Sequence, residues 1–226
     1  MITKMNMLKY IYTLTLTVSL FLSNAFAQKT VNDINLSYNI SIESVNDKPS
    51  LSKSLDGAVL TVLIKGTESR ADMVSSLGTE SNIYDSKTGK GYILKEYSGQ
   101  KLMITLTREN WAQKNQYFQN MKFSIDNAEQ QIGGFKCKKA TATLENGKTF
   151  VVYYTADITT ANKDYNNAFK NLPGIPVQYE LESGKLKFKY TLTAIGYENI
   201  TDSKFDIPKS GFRVMTYEEN QQLKKG

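Results

Sequence analysis

The segment Ile132–Thr155, IGGFKCKKATATLENGKTFVVYYT, decides the fold class. It reads as two strand-forming runs that meet at Asn146-Gly147, a strong short-range signal for a tight β-turn. A two-residue corner there sets Glu145 opposite Lys148, Leu144 opposite Thr149, Ala142 opposite Val151 and Ala140 opposite Tyr153. Small residues then face large ones across one packed surface. Toward the start of the hairpin the apolar phase changes: Phe135 and Cys137 are odd-numbered, whereas Ala140, Ala142 and Leu144 are even. A strand of period two cannot do this without a bulge or two covered faces, so a bulge or bend is expected near Lys138-Lys139. Cys137 reads as a small buried apolar residue, and the segment as scaffold rather than site.

Downstream, Tyr165, Ala168, Phe169 and Leu172 recur at helical spacing within Asp157–Asn171, predicting a short amphipathic helix stopped by Pro173. Val177, Tyr179 and Leu181 then alternate with Gln178, Glu180 and Glu182 up to a turn at Ser183-Gly184. That turn places Tyr179 opposite Phe188, Val177 opposite Tyr190, Glu180 opposite Lys187 and Gln178 opposite Lys189. One face is aromatic and aliphatic, the other a ladder of charges. Phe205, Ile207 and Pro208 predict a final edge strand. Thr216-x-x-Glu219 is a capping box that opens a terminal helix through Leu223.

Upstream, Leu36, Tyr38, Ile40 and Ile42 mark a one-sided strand that breaks at Asp47-Lys48-Pro49-Ser50. Val59–Ile64 is apolar enough to be covered on both faces. Arg70–Leu77 is a weaker strand, and Asn82–Ser86 and Tyr92–Tyr97 flank a glycine-bearing hairpin loop. Gly89-Lys90-Gly91 in that loop is not followed by a helix, so it is a turn and not a phosphate cradle. Leu102, Ile104 and Leu106 point one way in the next strand. Glu109–Met121 interrupts the β rhythm with Trp111, Phe118 and Met121 on a helical stripe, Trp111 plugging one end of the core.

Composition excludes more than it assigns. The 226 residues hold no histidine and one cysteine. Imidazole-based catalysis, imidazole metal sites and an intramolecular disulfide are therefore impossible. The carboxylates are scattered singly on strands, so no enzyme, cofactor or metal site is expected. Residues 1–27 read as a cleaved signal peptide: Lys4 and Lys9, an apolar run from Tyr10 to Leu22, then Ala25-Phe26-Ala27 before Gln28. No cysteine follows that could carry a lipid. Residues 28–226 are read as one β-rich domain of 199 residues with no transmembrane segment. Losing both lysines lowers the net charge from +6 to +4. Its lysines sit on solvated strand faces, which argues against nucleic acid as a partner.

Two landmarks carry a resemblance. One is Gly134-Phe135-Lys136-Cys137-Lys138-Lys139-Ala140-Thr141, leading to Tyr153–Ile158. The other is Leu172-Pro173-Gly174-Ile175-Pro176, with Phe205–Pro208 and Gly211–Met215. They are similar to the GLPGLI and DUF4412-type families of exported Bacteroidetes proteins. Asn171 and Pro176 stand where the GLPGLI form has its first glycine and final residue, which favours the DUF4412 side. The resemblance implies a fold like that of the LolA and LolB lipoprotein carriers. That fold is an antiparallel open β-barrel or strongly curved sheet, here of about ten strands, with two short helical lids and a C-terminal helix. The lids would be Glu109–Met121 and Asp157–Asn171. The expected function is non-enzymatic binding of a hydrophobic, lipid-like ligand on a concave apolar face, by Trp111, Tyr117, Phe118, Phe169, Tyr179, Phe188 and Tyr190. The alternative is an accessory protein of a cell-envelope assembly, with a protein partner. The expected location is exported: periplasmic, outer-membrane-associated or extracellular.

Overall fold

A computed structural model of the chain describes residues 28–44, 55–183 and 186–224. The expected signal peptide, the break at Asp47–Ser50 and Gly184 lie outside these residues. Among the described residues fourteen strands run in chain order: β1 (Lys29–Val31), β2 (Asp33–Ser44), β3 (Val59–Lys65), β4 (Glu68–Ser75), β5 (Gly78–Asp85), β6 (Gly91–Tyr97), β7 (Gln100–Leu106), β8 (Ser124–Ile132), β9 (Phe135–Thr143), β10 (Thr149–Thr155), β11 (Ile158–Thr160), β12 (Ile175–Ser183), β13 (Leu186–Gly196) and β14 (Arg213–Thr216). Helix α1 (Arg108–Lys114) follows β7 and α2 (Tyr217–Leu223) follows β14. Neither is long and apolar enough to cross a membrane.

Twelve strands form one sheet in the order β14-β7-β6-β5-β4-β3-β2-β13-β12-β10-β9-β8. It is mixed rather than antiparallel: β14 runs parallel to β7, and the separate pair β1–β11 is also parallel. The outer strands β14 and β8 do not pair with each other among the described residues, so the sheet is open. It must also curl. Trp111 in α1 stacks on Tyr84 of β5, and Phe118, seven residues on, meets Phe150 of β10. Six strand steps separate β5 from β10, about 29 Å on a flat sheet. The helical turns between Trp111 and Phe118 rise roughly 10–14 Å.

The faces follow the sequence pattern. Ile34, Leu36, Tyr38 and Ile40 of β2 are all buried. On β3 only Val62 and Ile64 are buried while Val59 is 40% exposed, so that strand is covered on one face and not on two. Both capping boxes form, Thr107 with Asn110 on α1 and Thr216 with Glu219 on α2. The final edge strand is Arg213–Thr216, whereas Phe205 lies in a 3-10 turn. Residues 163–169 make two 3-10 turns instead of an α-helix. Asn162 and Asn166 each accept a backbone N–H two residues on, which closes each turn locally before a helix can propagate. The apolar stripe nevertheless packs inward: Ala168, Phe169 and Leu172 are buried.

Both hairpin registers differ from expectation. Leu144 N–H donates to Lys148 O and Gly147 N–H to Leu144 O, with Gly147 at φ 77°. The corner is thus a three-residue loop closed by a left-handed glycine, not a two-residue turn. The slip of one residue sets Phe150 opposite Ala142 and Val152 opposite Ala140. In the second hairpin Ser183 pairs with Leu186, so the corner falls one residue later than expected. Tyr179 then faces Tyr190, Leu181 faces Phe188 and Glu180 faces Lys189. The expected bulge is not in β9, which pairs with β10 without a shift. It lies in the neighbours, between Asp126 and Glu129 on β8 and at Tyr153/Tyr154 where β10 meets β12. Cys137 and Ala140 are both buried on opposite faces, so the start of β9 is covered on two sides.

Candidate functional site: a parted seam between two central strands

β10 and β12 pair over only four rows, from Thr155↔Ile175 to Val152↔Tyr179. Beyond Val152 the ladder stops, although β10 extends back to Thr149 and β12 forward to Ser183. A cleft of about 860 Å³ occupies the gap. Its walls include inner-face residues Phe150, Tyr179 and Leu181 together with outer-face residues Val151, Tyr153 and Glu180. Successive strand residues point to opposite faces, so a single cleft touches both only where the sheet is parted. Lys148 and Glu182 form an ion pair across the opening.

The paired end of the seam is held by Leu172-Pro173-Gly174-Ile175-Pro176. Leu172 and Ile175 are buried, and Tyr38 Oη donates to Pro176 O at 2.8 Å. Gln28 Nε2 donates to Pro173 O at 2.8 Å. A Cβ on Gly174 would lie 2.0 Å from Thr155 O, so glycine is required there by the close approach of β10.

The aromatic residues singled out from the sequence divide. Tyr117, 55% exposed, and Phe118 hang from the segment after α1 and line the cleft with Tyr179. Phe169 is buried, edge-on to Tyr179 at 4.7 Å and tilted against Phe150 at 6.2 Å. Tyr190 stacks flat on Tyr179 at 4.6 Å, backing the cleft wall without lining it. Trp111 lies flat on Tyr84 at 4.3 Å and lines a second, smaller cleft of about 410 Å³ between the two interruptions. Phe188 is half-buried beside Leu181 and Ile42 and lines neither. The reading from sequence missed Phe150, Leu144, Leu181 and Lys139, all of which line the larger cleft. Their alternation marked them as strand residues and carried no sign that the strands part.

The inner wall is uncharged. Burial pushes the phenols of Tyr38, Tyr165 and Tyr179 well up, and burial with the Glu80 carboxylate pushes Tyr190 up to about 12. All stay neutral at physiological pH. The outer rim is charged: Lys187 pairs with Glu180 at 2.6 Å and Lys148 with Glu182, whose carboxyl that lysine holds below the usual range. The arrangement offers an apolar slot with a polar mouth. Among the described residues no group of three or more metal-ligating side chains comes together.

No known family profile matches the chain, and no curated protein matches it. Among solved structures it is similar in fold to PNGF-II, at 11% identity over 85% of this chain with a TM-score of 0.47. The chain spans about a third of PNGF-II, 32% of its length. Pseudomonas aeruginosa MucB, solved in complex with MucA, is similar at 10% identity over 78% of this chain and 56% of its own, with a TM-score of 0.41. A LolA superfamily protein of Nitrosomonas europaea is similar at 9% identity over 82% of this chain and 96% of its own, with a TM-score of 0.34.

Proposed function

We propose that the chain is a non-enzymatic, exported binding or carrier protein, working in the periplasm as one domain over residues 28–226. It holds one hydrophobic, lipid-like ligand in the seam between β10 and β12. The observation that carries this reading is the cleft itself, which connects solvent to the aromatic inner face through Phe118, Phe150, Tyr179 and Leu181. Its volume falls in the range, about 300–1,000 Å³, of pockets that take one small molecule. The test is native mass spectrometry of protein purified after export and then delipidated, with and without a fluorescent fatty acid. A one-to-one adduct is expected. Protein that carries no lipid on purification and takes up no probe would overturn the reading.

One observation favours a second reading, an accessory protein of an envelope assembly. β8 forms one edge of the sheet, and eight of its nine residues are exposed. An unpaired strand edge is a ready template for a partner chain. Crosslinking in cells from Gln130→Cys in a Cys137→Ala background tests it; recovery of no specific partner counts against it.

A further inference from the structure

We propose that the ligand is a single-chain amphiphile with an anionic head group, its chain in the seam and its head group at Lys139. This rests on the carrier reading and adds what the ligand must carry. Five charged side chains line the cleft: Lys139, Lys148, Lys187, Glu180 and Glu182. Lys148 and Lys187 are each neutralised by a glutamate. Lys139 has no ion-pair partner among the described residues, so the mouth carries one uncompensated positive charge.

The neighbour that should neutralise Lys139 is engaged elsewhere. Asp126 on β8 sits directly across from Lys139. Its Oδ1 instead accepts the Ala128 N–H at 3.0 Å, within the bulge that shifts β8 between Asp126 and Glu129. The bulge therefore turns the carboxylate onto its own backbone and leaves the ammonium to the cleft. Lys139 is also half-buried, next to Tyr153, where a charge is less screened than on an open surface. From there the apolar wall of Phe150, Leu181 and Phe118 runs inward through the parted strands. A cation at the mouth of an uncharged slot matches an anion on one hydrocarbon chain, and the volume suits one chain rather than a two-chain lipid.

Three probes of equal chain length test this by displacement of a fluorescent fatty acid: palmitate, the corresponding lysophosphatidate and 1-hexadecanol. Both anions should bind about threefold to tenfold more tightly than the alcohol. Lys139→Gln should erase that preference, weakening both anions at least threefold more than hexadecanol, with the urea midpoint unchanged; Lys139→Arg should keep it. The tighter of the two anions distinguishes a carboxylate from a phosphate head group, and either supports the proposal. Equal affinity for all three probes in the wild type overturns the head-group assignment and leaves the carrier reading standing. So does a Lys139→Gln loss that is the same for all three. If none of the probes binds, the carrier reading itself fails.

Discussion

Gly174→Ala is the sharpest test of how the seam is held. No left-handed backbone is involved; the obstacle is space. The added Cβ would stand 2.0 Å from Thr155 O and 2.7 Å from Tyr154 Cδ2, and ordinary contact begins at 3.4 Å. The chains must therefore separate by about 1.4 Å, and the opposing atom is backbone, which cannot swing aside. Separation breaks the rows Thr155↔Ile175 and Tyr154↔Pro176, two of the four that join β10 to β12. Two ladder hydrogen bonds at about 0.5–1.5 kcal/mol each, plus partial exposure of the fully buried Ile175, sum to about 3–5 kcal/mol. With a urea m-value of about 2 kcal/mol/M, the unfolding midpoint falls by roughly 2 M. Fluorescence-detected urea melts of wild type and variant measure this directly. A shift below about 0.3 M would show that β10 does not approach Gly174 this closely, and the account of the motif as a zip for the seam would be wrong.

Gly147→Ala poses the opposite case. Nothing lies within 4 Å of its Cβ, but φ is 77°, so the cost is conformational alone, about 1–2 kcal/mol by the same melts. No measurable loss would refute the three-residue loop. Cys137 is 1% exposed and burial pushes its thiol up to about 11. At pH 8 a thiol reagent should react with the native protein on the order of 10²-fold more slowly than with the urea-unfolded chain; similar rates would contradict the burial. Burial pushes the Asp85 carboxyl up, but hydrogen bonds from Thr88 Oγ1 and the Lys87 and Thr88 backbone outweigh it and hold the group below its usual range. A depressed carboxylate stabilises the fold above the unfolded value and loses that contribution as pH falls through the folded one, below about pH 4. Asp85→Asn should therefore be less stable than wild type at pH 7, with the gap narrowing at pH 3. A gap that does not change with pH would refute it.

What the sequence revealed, and what it hid, divides along a physical line. Period-two alternation in Leu36–Ile42 and Val177–Leu181, the Thr216-x-x-Glu219 capping box and the Tyr165–Leu172 stripe are local patterns, and each appears in the fold as an element or a buried face. Register is less local. Asn146-Gly147 is compatible with a two-residue corner and with a three-residue loop, both needing a left-handed Gly147. In the following run Phe150 to Tyr154 every residue is apolar or aromatic, so either parity gives a plausible packed face. The loop chemistry had to decide, and only the structure shows it.

The seam is less legible still, because nothing in Thr149-Phe150-Val151 or Glu180-Leu181-Glu182 departs from an ordinary paired strand. β10 is anchored on its other side to β9 by six rows, and β12 to β13 by six. Each therefore satisfies half its backbone in a hairpin of its own, and among the described residues the β10–β12 joint is the only link between these hairpins within the sheet. A short joint, pinned at one end by a glycine that admits no side chain and spanned at the other by a single exposed ion pair, concentrates compliance at one place. An exposed, solvent-screened pair contributes far less than the burial that closes the Ile175 end. Widening should begin at Lys148 and Glu182 and stop at Gly174, so the close approach at the motif would set how deep a ligand chain can enter. Lys148→Cys with Glu182→Cys in the Cys137→Ala background tests that order. The oxidised protein should exclude the fluorescent fatty acid and the reduced protein should take it up; uptake that ignores the disulfide would place the entrance elsewhere.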